Sequence, residues 1–203
     1  MNSPTITIIT PTLGRPTLSR TLKSVLPQLA SDDEWIIVGD GSIPETRCLV
    51  DDEHDRRIEY FEWHDARSAF GNAQRNAAMQ RARKDLLVFV DDDDWLLPDA
   101  LDAVRREGVH GVPMMFRMEY LPKRCLLWRV PIVREANVGG GMFVIPNRKD
   151  RIGVWPIFDD PRAEAYGASD FKFVQNTLQL WPADALRWCR DIIYCCPRHG
   201  KGK

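Results

Sequence analysis

The sequence has no long hydrophobic run and no secretion signal. Outside mixed segments its longest unbroken apolar stretch is residues 86–90, far short of the roughly 18 residues that a membrane-spanning helix needs. The first residues carry no basic segment and lead directly into a β-branched pattern, which argues against a signal peptide. We therefore expect a protein without a membrane span that resides in the cytoplasm.

Cysteine is scarce and irregularly spaced. The five cysteines are odd in number and include no Cys-x-x-Cys pair: Cys48, Cys125, Cys189, Cys195 and Cys196. This pattern argues against a disulfide framework and against structural zinc. Walker A, GxGxxG, HExxH and GxSxG patterns are also absent. Their absence disfavours nucleoside triphosphatases, dinucleotide-binding enzymes, zinc proteases and serine hydrolases.

Neither sign of charge is in excess, because the 203 residues include 28 basic and 29 acidic residues. The distribution is nevertheless uneven. Residues 31–66 contain 12 acidic and 3 basic residues, whereas residues 105–151 contain 4 acidic and 10 basic residues. A solvated face explains the basic segment most simply, but such a segment beside an active site would also receive a phosphorylated or polyanionic acceptor.

Strand-like and helix-like periods alternate through the first hundred residues. Apolar or β-branched runs predict strands at residues 5–10, 35–38, 58–61 and 86–90. Helical spacing is present at residues 18–29 and 72–83, and Pro98 suits the first turn of a further helix. We expect the first strand to end at Pro11. This alternation predicts an α/β fold, a parallel sheet with helices packed on its faces.

Shorter segments follow Gly108. Strand candidates lie at residues 112–118, 126–130 and 142–145, and residues 169–179 have helical character. No linker is long enough to separate two domains, so we expect residues 1–203 to form one domain in which the second half completes the same sheet. The tail, residues 198–203, is expected to be mobile unless a ligand orders it.

Polar residues follow three of the predicted strands, at residues 10–12, 40–42 and 91–94. Ligands of open α/β sheets bind outside the carboxyl ends of the strands, so we expect these residues to converge. Four successive carboxylates raise one another's pKa unless a cation compensates their charge. Hard oxygen ligands favour Mg²⁺ or Mn²⁺, which leave coordination positions for phosphate oxygens.

Four motifs in order resemble the family 2 glycosyltransferases of GT-A fold. They are Thr-Ile-Ile-Thr-Pro-Thr at residues 7–12, Val-Gly-Asp-Gly-Ser at 38–42, Gly-Asn-Ala-Gln-Arg-Asn-Ala at 71–77 and Phe-Val-Asp-Asp-Asp-Asp-Trp at 89–95. The resemblance is strong over about residues 5–105. It implies a GT-A sheet whose first half, about residues 1–105, binds a nucleotide-sugar and whose second half, about residues 106–203, binds the acceptor.

The resemblance also implies site residues. Those expected to bind the nucleotide-sugar are Thr10, Pro11, Thr12, Asp40, Gly41, Arg75, Asn76, Asp91 and Asp92. Thr10 to Thr12 would cradle the nucleoside, Asp40 would hydrogen-bond the base, and Arg75 would face the diphosphate. The sequence departs from the family at Gly39, where family members often have an aspartate, and base recognition then depends on Asp40 alone.

The implied metal ligands for Mn²⁺ or Mg²⁺ are Asp91 and Asp93, which match the DxD motif, and His199 of the carboxyl-terminal segment. A lone histidine in a terminal tail is more often solvated. For the general base we choose Asp170, with the pair Asp159 and Asp160 as a rival. A charge favoured by a helix amino terminus explains Asp170 equally well. The glycines at residues 139–141 either let the backbone approach the donor sugar or form an ordinary turn.

The resulting hypothesis is a metal-dependent, inverting glycosyltransferase that moves a sugar from a nucleotide-sugar to an acceptor hydroxyl. A UDP-sugar is the favoured donor, and a glycan or small molecule is the favoured acceptor, with a hydroxymethylated DNA base as a weaker candidate. Two alternatives remain open. One is a haloacid dehalogenase-type phosphatase that uses Asp91 and Asp93, although Trp95 does not match its motif, and the other is a non-catalytic nucleotide-sugar-binding module.

Overall fold

Strands and helices alternate along the chain, as described by a computed structural model for residues 3–65, 70–121, 125–157 and 168–197. Within these ranges the strands are β1 Ile6–Thr12, β2 Glu34–Gly39, β3 Ile58–Glu62, β4 Leu86–Phe89, β5 Trp95–Leu96, β6 Met114–Leu121, β7 Cys125–Leu127, β8 Phe143–Pro146 and β9 Arg187–Pro197. The helices there are α1 Leu18–Val25, α2 Pro44–Asp52, α3 Asn72–Arg81, α4 Ala100–Gly108 and α5 Ala168–Leu178. No helix among the described residues is both long and apolar enough to cross a membrane.

The strands form one sheet in the order β3-β2-β1-β4-β8-β6-β9-β5, with β7 paired to β6. The first four strands of this order are parallel to one another. Beyond them β8 runs antiparallel to β4 and to β6, whereas β9 runs parallel to β6. The strands of the second half therefore extend the sheet that the first half begins, as the sequence predicted.

The first strand does not end where the sequence predicted. β1 continues through Pro11, which pairs with Val38 of β2. The reason lies on the other side of the strand. The pairing of β1 with β4 ends at Ile9 and Phe89, while Thr12 O accepts a hydrogen bond from Asp40 N on the β2 side. Alternate residues of a strand point their backbone groups to opposite neighbours, so the missing N–H of proline faces the side where pairing has already ended.

Three elements were not predicted from the sequence, namely α2, β5 and β9. β5 has two residues, too few for periodicity to reveal. β9 has eleven residues, but it contains Arg190 and Asp191 in its middle and its burial does not alternate. Its pairing with β6 is interrupted by two register shifts. This strand is specified by its tertiary partner and not by a local pattern.

An aromatic cluster fixes α5 against the sheet. Phe173 of α5 stacks on Trp155 with ring centroids 4.1 Å apart, and Phe89 at the end of β4 contacts both rings edge-on at 5.4 and 5.3 Å. All three side chains are buried. Edge-to-face and offset-stacked pairs contribute beyond the burial of their area. The cluster thereby places the first turn of α5 at the carboxyl end of β4.

We predict that Asp33 is a major determinant of stability. Its buried carboxylate accepts hydrogen bonds from Ile6 N at 2.8 Å and Ala30 N at 2.7 Å, and it pairs with Arg105 of α4. Asp33→Ala leaves these donors without a partner and should lower the free energy of unfolding by about 2–4 kcal/mol. Urea denaturation measures this, with the exposed neighbour Asp32→Ala as the control. Equal stability of the two variants would contradict the prediction.

Candidate active site

The carboxyl ends of β1, β2 and β4 surround a cavity of about 520 Å³. Its lining consists of Pro11, Thr12, Leu13, Arg15, Asp40, Phe70, Gly71, Asn72, Gln74, Arg75, Asp91, Asp92, Asp93, Asp94, Ser169, Asp170 and Cys196. The three polar strand ends seen in the sequence therefore converge at one edge of the sheet. α5 contributes Ser169 and Asp170 to the same cavity, so both halves of the chain form it.

Residues 91–94, which we call the acidic loop, are separated from the end of β4 by one residue. Ligand oxygens of Asp91, Asp93 and Asp94 lie within 4.8 Å of one another. Burial and the charge of Asp91 raise the pKa of Asp94 to about 8. One of its oxygens, Oδ1, is buried without a hydrogen-bond partner among the described residues. Clustered carboxylate oxygens with an unsatisfied member suit a hard divalent cation such as Mg²⁺ or Mn²⁺.

Asp92 has a different environment from its neighbours. Its buried carboxylate accepts hydrogen bonds from Thr12 Oγ1 at 2.7 Å and Leu13 N at 3.1 Å, and Arg15 Nη1 lies 2.8 Å from its other oxygen. These contacts join the acidic loop to the end of β1. Asp92 thus shapes the cavity wall, although the sequence suggested it as a nucleotide-sugar ligand.

Arg75 of α3 lines the cavity with a largely buried side chain. Its side chain is only 6% exposed and pairs with Asp91. Nη1 donates to Phe70 O at 2.8 Å, and the guanidinium lies 4.6 Å from the ring centre of Trp155. The expected contact of Arg75 with a diphosphate stays a prediction. In this structure the guanidinium pairs with Asp91, which neutralises and orients that carboxylate.

Three predicted ligands, Thr10, Gly41 and Asn76, are not among the lining residues of the cavity. The polar side-chain atoms of Thr10 and Asn76 form hydrogen bonds within the protein itself. Thr10 Oγ1 is fully buried and accepts a hydrogen bond from Trp35 Nε1 at 2.9 Å. Asn76 pairs with the backbone of Trp155, donating to its O and accepting from its N, both at 2.9 Å. These residues hold the sheet and the segment before α5. Motif membership alone did not distinguish such scaffolding from ligand contact.

Asp170 lies in the first turn of α5. Its Oδ2 accepts a hydrogen bond from Gly140 N at 3.0 Å. Burial raises the pKa of Asp170, while the charge of Arg75 and the Gly140 N–H lower it in part and Asp91 raises it further. A Cβ on Gly140 would lie 2.5 Å from Trp155 and 3.4 Å from Asp170 Oδ1. Glycine is therefore required here by the Trp155 ring, and its backbone N–H reaches the carboxylate of Asp170.

The β2 end of the cavity carries Asp40. His64 Nδ1 lies 3.7 Å from Asp40 Oδ1, and Gly41 turns the chain with a φ of +80°, which favours glycine. The structure explains why glycine occupies position 39, where members of the family named in the sequence analysis often have an aspartate. A side chain there would lie 2.5 Å from the Tyr60 hydroxyl, so β3 fills that space.

Two residues at the acidic loop were missed by sequence reasoning. Arg15 lies 3.2 Å from Asp93 as well as pairing with Asp92, and it is 45% exposed at the cavity. Tyr194 of β9 donates to Asp94 at 2.6 Å. The position of Arg15, a basic residue shortly after the first motif, could have identified it from the sequence. Tyr194 could not be identified in this way, because β9 was not predicted.

His199, Asp159 and Asp160 lie outside the described residues.

Two solved structures illustrate the class to which this fold belongs. S. aureus TarS 1-349 in complex with UDP-GlcNAc has a TM-score of 0.76 at 16% identity, covering 98% of this chain and 60% of that one. Mannosyltransferase PcManGT from Pyrobaculum calidifontis, in complex with GDP-Man and Mn²⁺, has a TM-score of 0.66 at 18% identity, covering 98% and 57%. The fold is therefore that of GT-A glycosyltransferases, which confirms the predicted fold class.

The family follows from the sequence comparison. The model of glycosyl transferase family 2 matches residues 7–107, about half of the chain, and the chain belongs to this family. A curated relative is the GalNAc(5)-diNAcBac-PP-undecaprenol beta-1,3-glucosyltransferase of Campylobacter jejuni, 30% identical over 116 residues. That alignment covers 56% of this chain and 37% of the relative, so the chain spans little more than a third of the relative's length. The family assignment does not favour the phosphatase alternative.

We predict that the neighbours Asp92 and Asp93 differ in what their loss affects. Asp92→Ala removes three buried contacts and should lower the free energy of unfolding by about 2–4 kcal/mol. Asp93→Ala removes an ion pair with the half-exposed Arg15. This variant should change the free energy of unfolding by less than about 1 kcal/mol. Urea denaturation in EDTA compares them directly. A larger loss in Asp93→Ala would show that the roles are reversed.

Proposed function

We propose that this chain is a metal-dependent, inverting glycosyltransferase that transfers a sugar from a nucleotide-sugar to an acceptor hydroxyl. One observation carries the proposal: the acidic loop and Asp170 line the same cavity at the carboxyl edge of the parallel strands. The first provides cation ligands for a diphosphate, and the second provides a carboxylate for a hydroxyl. A binding module without catalysis has no need of Asp170 beside the donor site.

The acidic loop would hold Mn²⁺ or Mg²⁺ through Asp91 and Asp93, with His199 as a further ligand. A bound divalent cation supplies positive charge that stabilises the departing nucleoside diphosphate. Arg15 is the guanidinium at the cavity surface, and we assign it the role of meeting the diphosphate that the sequence suggested for Arg75. Fixed positive charge near a leaving group stabilises the charge that develops on it.

The donor would lie with its base toward Asp40 and Gly41 and its nucleoside against Pro11 and Thr12. A UDP-sugar is the favoured donor, and the UDP-GlcNAc complex of TarS supports this choice. PcManGT was solved with GDP-Man, so the nucleotide base of the donor, uracil or guanine, is what an experiment has to distinguish. With Gly39 in place of an aspartate, the base would be recognised through Asp40.

In the proposed reaction, the acceptor hydroxyl oxygen forms a bond to the anomeric carbon as the bond from that carbon to the diphosphate oxygen breaks. The hydroxyl proton passes to the carboxylate of Asp170, and the bonding electron pair leaves with the nucleoside diphosphate. Direct displacement inverts the anomeric configuration. The raised pKa of Asp170 increases its basicity, which favours this role. The C. jejuni relative, a GalNAc(5)-diNAcBac-PP-undecaprenol beta-1,3-glucosyltransferase, supports a glycan as the acceptor, with a small molecule as the next candidate.

We predict metal-dependent donor binding. Calorimetric titration of UDP, UDP-sugars and GDP-sugars should give binding in Mn²⁺ that is lost in EDTA, because the diphosphate and the acidic loop repel each other without a cation. Asp93→Ala should abolish the metal-dependent component, whereas the exposed Asp184→Ala should not change it. Equal binding with Mn²⁺ and EDTA would refute the metal role, and no binding of any nucleotide would refute the proposed donor class.

We predict that Asp170→Asn retains donor affinity within about threefold but loses transfer by at least about 100-fold, since a general base contributes 10²–10⁴-fold. Release of UDP with a panel of glycan acceptors measures transfer. Because the base acts when deprotonated and its pKa is raised, wild-type kcat/KM should fall on the acid side at a higher pH than an ordinary carboxylate near 4 would produce. Normal turnover by Asp170→Asn would reject the assignment.

A further inference from the structure

The hydroxyl of Tyr194 contacts the acidic loop at two points. It donates a hydrogen bond to Asp94 Oδ2 at 2.6 Å and accepts one from Asp91 N at 3.1 Å. The side chain is 1% exposed. Its ring lies so close to Gly141 that a Cβ there would be 2.4 Å from the ring atoms. The hydroxyl is thus held in place by both its hydrogen bonds and the packing of its ring.

Asp94 is left with one carboxylate oxygen that the protein does not satisfy. The residue is 4% exposed and lines the cavity. Oδ1 has no hydrogen-bond partner among the described residues, although the weakly donating Cys196 thiol lies beside this carboxyl. A buried oxygen without a strong donor is costly. A carboxylate oxygen of Asp94 lies within 4.8 Å of oxygens of Asp91 and Asp93, so a cation shared by the three carboxylates is a suitable partner for Oδ1.

We propose that Asp94 supplies a third carboxylate to the cation and that Tyr194 is the positioning residue that makes this possible. By occupying Oδ2, the hydroxyl leaves Oδ1 for the cation, and by accepting the Asp91 N–H it fixes the backbone of another ligand. The inference rests on the proposed function, because it requires a cation at the acidic loop. It extends the pair Asp91 and Asp93 by one ligand and one supporting group contributed by the second half of the chain.

The test is the affinity of the full chain for Mn²⁺ alone, measured by calorimetry below the unfolding transition. Tyr194→Phe keeps the ring and should weaken Mn²⁺ binding by about 10–100-fold, the usual effect of losing a group that orients a metal ligand. Asp94→Asn should weaken it at least as much. The matched controls, Tyr60→Phe on β3 and the exposed Asp99→Asn, should bind Mn²⁺ like the wild type.

A second readout separates positioning from general support of the fold. The electron paramagnetic resonance spectrum of bound Mn²⁺ at saturation should change in both Tyr194→Phe and Asp94→Asn, because the ligand set changes. A lower unfolding midpoint with unchanged Mn²⁺ affinity and spectrum would mean that the hydroxyl only stabilises the fold, which overturns the proposal.

The failure of this inference is distinguishable from failure of the proposed function. If the wild type binds no Mn²⁺, the metal role proposed above falls and this inference falls with it. If Asp93→Ala loses Mn²⁺ binding while Asp94→Asn and Tyr194→Phe retain it, the two-carboxylate site stands and only the inference is overturned.

Discussion

The concentration of negative charge at the end of β4 is the constraint on which the site depends. Four carboxylates in succession cannot all remain ionised in a partly buried loop without compensation. The protein compensates them separately: Arg75 from α3 pairs with Asp91, and Arg15 from the β1 loop meets Asp92 and Asp93. Positive charge and hydrogen-bond donors are therefore drawn to one edge of the sheet from several elements. In the proposed function, the negative charge that remains at this edge binds the cation.

The compensation divides the four carboxylates into two kinds. Asp92 has its oxygens satisfied by the protein and acts as a structural link to β1. Asp91, Asp93 and Asp94 keep oxygens close enough together to share one cation. Identical residues in consecutive positions thus differ in chemistry because successive side chains face different neighbours. Their environments, and not their motif, assign the roles.

The second half of the chain contributes Asp170 and Tyr194 to the site, and both residues contact glycines of the same short segment. Gly140 donates to Asp170 and Gly141 lies under the Tyr194 ring. One short segment therefore contacts both the candidate base and the residue that supports the acidic loop. The aromatic cluster of Phe89, Trp155 and Phe173 holds α5 over the same region. Packing within the second half of the chain thereby positions groups beside the residues of the first half that line the cavity.

The sequence by itself determined the alternation of strands and helices, and with it a parallel sheet whose polar strand ends meet at one edge. It also identified Asp40, Asp91, Asp93 and Asp170, all of which line the cavity. These features follow from local periodicity and from the general rule for parallel strands. Local patterns were sufficient because β1, β2 and β4 are buried along their whole length.

Only the tertiary structure decided which polar side chains serve a ligand and which serve the protein. Thr10 and Asn76 are in the motifs but hydrogen-bond to Trp35 and Trp155. Tyr194 is in none of the four motifs of the first half, yet it reaches the acidic loop because β9 pairs with β6 and β5 across the sheet. A side chain's direction and a long-range strand pairing depend on contacts between segments distant in the chain, and no local spacing encodes them.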